Sequence, residues 1–186
     1  MARERILFMG GPGGGKSHQL IKVCKYLETK EIPVFCIDCE DKLEATLKGM
    51  GGMPSNLKLY VAIGWEEVKE ATKKIEEEIK PGNWIMIDRV DLTWPGVQRW
   101  YTQGKYDEEL ADRLMAKAKE MKKPSMFIPR FDQGAWQVIN EQHETFMLKI
   151  LYRHRTSVLL TAGIRGLREG REGGEEIGRA SCRERV

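Results

Sequence analysis

Apolar residues recur along this chain in two rhythms. Ile6-Leu7-Phe8-Met9, Val34-Phe35-Cys36-Ile37, Trp84-Ile85-Met86-Ile87 and Ser157-Val158-Leu159-Leu160-Thr161-Ala162 are short, nearly unbroken apolar runs. Such runs read as strands buried on both faces. Leu57-Lys58-Leu59-Tyr60-Val61 reads as a further strand. Between the runs, apolar positions return at helical spacing. Leu20, Val23, Cys24 and Leu27 mark one helix after Ser17; Val68, Ala71, Thr72, Ile75 and Ile79 mark a second, highly charged one over Trp65–Ile79. Leu110, Leu114, Met115 and Ala118 predict a helix over Asp107–Lys122, and Trp136, Ile139, His143, Phe146, Met147, Ile150 and Leu151 predict a long one over Ala135–Tyr152. Leu43–Leu47 reads as a short helix, Asp91–Gly104 as a mobile loop or short helix, and Pro124–Phe131 as a connector.

Strands alternating with helices predict an α/β fold with a mostly parallel sheet covered on both faces. At 186 residues, 41% hydrophobic and 32% charged, the chain has the size and composition of one soluble domain. Its net charge of +3 permits contact with nucleic acid without arguing for it. No apolar run reaches membrane-spanning length, so the expectation is no membrane partner and a cytoplasmic setting.

Chemistry enters at Gly10-Gly11-Pro12-Gly13-Gly14-Gly15-Lys16-Ser17, which fills every fixed position of the P-loop pattern G-x-x-x-x-G-K-[ST] between a strand and a helix. Glycines let main-chain N–H groups turn inward as an anion nest, and the following helix adds its positive end. Lys16 is placed to reach the β- and γ-phosphates, and the Ser17 hydroxyl to ligate Mg²⁺. His18, next in the chain, is included in the nucleotide-binding set. Asp88 ends an apolar strand and is expected at the same sheet edge, where it would hold Mg²⁺. The cofactors expected are therefore ATP and Mg²⁺.

Cys36 and Cys39 form a C-x-x-C without a second pair, so two small residues at the end of a buried strand is the favoured reading over a redox or zinc pair. Gly166–Glu176 is glycine with alternating charge, and the last ten residues, Ile177–Val186, resemble translated sequencing-adapter sequence. Residues 166–186 are expected to be an unstructured tail, with the natural chain continuing beyond it.

Taken together, Ile6 to Arg165 resembles the RecA-like P-loop ATPase core, nearest to small phage RecA-like or AAA-type proteins of the single-strand annealing and recombination kind. The resemblance rests on the P-loop, on Phe35-Cys36-Ile37-Asp38-Cys39-Glu40, and on Ile85-Met86-Ile87-Asp88. It implies one ATPase domain over residues 1–165, with Lys16 and Glu40 catalytic and Glu40 polarising the attacking water. It also implies that the loops after Asp88 and Ala162 face single-stranded DNA, with Ile164-Arg165-Gly166-Leu167-Arg168 on the phosphates. Trp94, Trp100 and Tyr101 are candidate base stackers, with packing the competing reading. Where the family's last strand ends in a polar Asn-Gln pair, this chain has Ala162-Gly163.

Two alternatives stand beside this reading. One is a small-molecule or nucleotide kinase using Arg113 and Arg130 as lid residues; the other is a homo-oligomeric motor or packaging subunit completed by Arg153, Arg155 or Arg165 of a neighbour.

Overall fold

The computed structural model describes residues 3–120 and 131–164. Five strands form one all-parallel sheet: β1 (Arg5–Gly10), β2 (Val34–Asp38), β3 (Leu57–Val61), β4 (Trp84–Asp88) and β5 (Ser157–Gly163). Their order across the sheet is β1-β5-β4-β2-β3. β5, far along the chain, therefore slots between β1 and β4. Among the described residues, six α-helices accompany them: α1 (Lys16–Glu28), α2 (Leu43–Gly49), α3 (Trp65–Glu78), α4 (Thr93–Tyr106), α5 (Leu110–Glu120) and α6 (Gln133–Leu148).

Strand alternation divides the core into two layers. Val34, Cys36, Trp84, Met86 and Leu159 face a layer completed by Leu20, Ile21 and Cys24 of α1 and by Leu43 and Leu47 of α2. Phe35, Ile37, Ile85, Ile87, Val158 and Leu160 face the opposite layer, built with α3, α4 and α6. The three central strands are covered on both sides, which is why they read as unbroken apolar runs. This is the predicted α/β architecture.

The stretch after β4 departs from the expected loop or short helix. A 3-10 turn at Val90–Leu92 leads directly into the 14-residue α4. Pro95 sits in its first turn, where no intrahelical N–H bond is lost. Val97, Tyr101 and Thr102 bury its inner face. Trp94-Pro95-Gly96 looks like a breaker in sequence, yet lies where a helix tolerates one. At the far end, Asp107 takes a left-handed conformation (φ 53°), so α5 begins at Leu110, not Asp107. The long final helix ends at Leu148 and passes into a π turn over Lys149–Arg153. Most of the Pro124–Phe131 connector, Arg130, Arg165 and the tail from Gly166 lie outside the described residues.

Candidate functional site

Because all five strands run the same way, their C-terminal ends share one rim. Gly10 is in register with Gly163, and Asp38 with Asp88. The P-loop, Glu40 and Asp88 all follow or end strands at that rim.

The P-loop turns through left-handed Gly13 (φ 73°) and Gly15 (φ 74°), conformations that strain a residue with a side chain. The turn is closed by the Gly14 N–H donating to the Gly11 carbonyl at 3.3 Å. Lys16 folds back over the loop, donating to the carbonyls of Gly10 and Gly11, both at 2.9 Å. Ser17 is the second residue of α1. Its hydroxyl donates to Asp88 Oδ2 at 2.8 Å, joining the foot of the P-loop to the tip of β4. His18 lies exposed on the first turn of α1.

Asp88 is 1% exposed, and its hydrogen-bond partners are two hydroxyls, Ser17 and Thr161. Burial pushes its carboxyl above the ordinary value; the two hydroxyls oppose this, and the charges of Asp38 and Glu40 add to it. Thr161 is a fully buried polar residue that follows the apolar Val158–Leu160 of β5, and it also accepts the Arg89 N–H at 2.8 Å. A lone hydroxyl inside an apolar run was the visible sign of it.

Asp38 does a different job. It is fully buried, and its carboxylate accepts N–H groups from Glu40 (3.0 Å), Lys42 (2.9 Å) and Leu43 (2.8 Å). It therefore shapes the loop that presents Glu40 and caps the start of α2. Glu40 accepts from Lys42 at 2.9 Å and from Arg89 Nη1 at 3.0 Å. The Lys42 hydrogen bond first, and then the Arg89 charge, hold its carboxyl below the ordinary value against partial burial.

Arg89 and Asp91 are absent from the sequence-derived site. Arg89 grips Asp91 with both arms of its fork, Nε to Oδ1 at 2.9 Å and Nη2 to Oδ2 at 3.0 Å. Asp91 in turn accepts the Gly163 N–H at 2.9 Å. Burial alone would raise the Asp91 carboxyl, but the guanidinium and this N–H outweigh it and leave it low. Their sequence signal was only a pair of charges beside Asp88.

The aromatic candidates for base stacking are packing residues. Tyr101 is 9% exposed. Trp94 stacks on Trp136 with centroids 6.0 Å apart and meets the edge of His143 at 5.1 Å. Trp100 donates to Glu66 and lies under Lys69 Nζ at 4.7 Å. His143 is half-buried against Trp94 and Trp65, with Nε2 3.0 Å from the Thr93 hydroxyl. Cys36 and Cys39 belong to opposite layers of the core, so their thiols are not paired. Among the described residues no cluster of three or more His, Cys, Asp or Glu could hold a metal, and no helix is long and apolar enough to cross a membrane.

No protein-family model and no curated protein matches the chain. Among solved structures, it is similar to one described as an ATPase domain, at 12% identity and a TM-score of 0.41. That match covers 88% of this chain, which spans 58% of the other's length.

Proposed function

We propose that this protein is a magnesium-dependent ATP hydrolase of the RecA-like type. The observation that carries the reading is the 2.8 Å contact between Ser17 and Asp88 beneath a glycine loop holding Lys16. It brings two hard oxygen donors together at the rim where the loop amides would grip phosphates. Mg²⁺ commonly takes one or two protein oxygens and completes its shell with water and substrate phosphates, so two donors suffice. A buried carboxylate whose own partners are hydroxyls also suits a cation. When bound, Mg²⁺ would supply charge neutralisation on the β- and γ-phosphates.

The chain's own residues divide the rest. The loop amides and Lys16 bind the triphosphate; the ammonium exchanges loop carbonyls for phosphate oxygens. Glu40, at the end of the strand next to β4, orients a water and takes its proton as the water oxygen attacks the γ-phosphorus. The bond to the bridging oxygen breaks, and ADP and phosphate leave.

Single-stranded DNA is the partner proposed with this activity. Its support is the basic, glycine-rich stretch from Ile164 to Arg168, whose first residue is anchored at the rim by its N–H on the Gly10 carbonyl at 3.1 Å. A homo-oligomer is proposed as well. Arg153 and Arg155 precede β5 at the opposite rim, so either would act on a neighbour's site. Of the two lid candidates of the kinase alternative, Arg113 is already engaged, lying 3.1 Å over the Tyr106 ring and pairing with Glu108 at 3.5 Å.

Phosphate release with Mg²⁺, with and without a single-stranded oligonucleotide at low salt, tests the proposal. Lys16→Ala should abolish tight triphosphate binding. Glu40→Gln should keep binding and lower turnover by about 100- to 10,000-fold, to a residual rate that single-turnover assays still read. A wild-type protein that neither releases phosphate above background nor binds a triphosphate would overturn the reading.

A further inference from the structure

We infer that Arg89 is a positioning residue that fixes the Glu40 carboxylate for hydrolysis, with Asp91 orienting Arg89 in turn. The inference rests on the proposed role of Glu40 as the residue that activates water.

Glu40 sits on a loop and has two cationic partners. Lys42, at 70% side-chain exposure, is a solvated lysine of the kind that restrains a carboxylate little. Arg89 is different, at 23% exposure, with Glu40 at 29% and Asp91 at 28%. Its guanidinium spends one arm on Glu40 and a bidentate pair on Asp91. A fork so engaged has a fixed plane and direction, which a single-point contact lacks.

The backbone is arranged to the same end. Arg89 directly follows Asp88 and adopts a left-handed conformation, φ 65° and ψ 53°. That conformation is uncommon for a residue with a side chain and persists where surrounding contacts hold it. Its own N–H is tied to Thr161, which also bonds Asp88. Asp91 is anchored by the Gly163 N–H. A methyl group at Gly163 would come within 3.1 Å of both Arg89 Nη2 and Asp91 Oδ2, so the pair fills the space beside the end of β5. The guanidinium thus links the loops after β2 and β4, and Asp91 carries the link on to the end of β5.

If Arg89 works through Glu40, the two cannot contribute independently. The test is a double-mutant cycle on kcat and on triphosphate affinity, using Arg89→Ala, Glu40→Gln and the double variant. Misplacing a reacting group by about 1 Å can cost roughly 100-fold, so Arg89→Ala should lower kcat by about 10- to 100-fold. Triphosphate affinity should stay within about twofold, and Arg89→Ala should add no further loss in the Glu40→Gln background. Arg89→Lys should recover part of the rate, because an ammonium can meet Glu40 but cannot fork onto Asp91. It also carries the test if Arg89→Ala does not fold.

Losses that multiply in the double variant would overturn the inference. So would an Arg89→Ala kcat within about twofold of wild type, or equal losses of rate and triphosphate binding. Should Glu40→Gln turn over like wild type, the role of Glu40 itself fails and the inference falls with it. A strongly slowed Glu40→Gln beside an unaffected Arg89→Ala sinks the inference alone.

Discussion

Single residues at the rim owe their character to what buries them. Asp88 and Asp38 end neighbouring strands in register, yet one bonds two hydroxyls and the other three backbone N–H groups. In the proposed function the first receives the cation; the second is fully used in shaping a loop. The cysteines follow the same logic. Burial pushes the thiols of Cys24 and Cys39 up to about 12 and that of Cys36 well above its ordinary value. In the folded protein at mildly alkaline pH these three should resist iodoacetamide and react only on unfolding, as counted by intact mass. Rapid alkylation of Cys36 or Cys39 in the native state would contradict their placement. His143 supplies a pH dependence. Burial holds its imidazole below the ordinary 6.5, so the unfolded chain takes up the proton first as pH falls. Its contribution to stability is present above that value and is lost on acidification. Between about pH 7 and about pH 5, thermal stability should fall less steeply in His143→Gln than in wild type.

At the scale of elements, the parallel strands do the positioning. β1 delivers the P-loop, β4 delivers Asp88, β2 delivers Glu40 and β5 slides Thr161 beside Asp88. The β2–α2 turn depends most on one side chain. An Asn in place of Asp38 would have to present an NH₂ group to backbone donors that now share a carboxylate. Asp38→Asn should therefore cost about 1–3 kcal/mol in denaturant unfolding, the usual consequence of leaving a buried donor unpaired. It should also lower turnover by loosening Glu40. An unchanged unfolding midpoint would mean that the loop holds its shape without that carboxylate. α1, β2 and β4 were legible in sequence because each carries a pure periodicity bounded by turn residues. α4 was ambiguous because Trp94-Pro95-Gly96 carries breaker residues at a position where the helix has no bond to break.

For the whole molecule, the proposed function couples folding to nucleotide binding. A nucleotide that binds only the folded state at about 100 times its Kd adds about 2.7 kcal/mol. For a chain of this size that is roughly 5–10 °C in melting temperature. ATP with Mg²⁺ should produce such a shift in wild type, and Lys16→Ala should remove it. A shift of equal size in the variant would place the binding elsewhere than the P-loop. The same scale explains why the site was only partly legible. Lys16, Ser17 and their glycines form one contiguous motif, whereas Arg89, Asp91 and Thr161 gain meaning only from contacts made between strands.

Sequence alone determined the alternation of buried strands and amphipathic helices, the α/β class, and the glycine-rich turn between β1 and α1. Each of these is a local matter of periodicity, glycine conformation and residue chemistry. Tertiary structure alone decided that β5 lies between β1 and β4, that Thr161 joins Ser17 on Asp88, and that Arg89 reaches Glu40. It also decided that the tryptophans near α4 are packing residues. These are pairings between segments far apart in the chain, set by how the two apolar layers close over the sheet, and no local pattern encodes them.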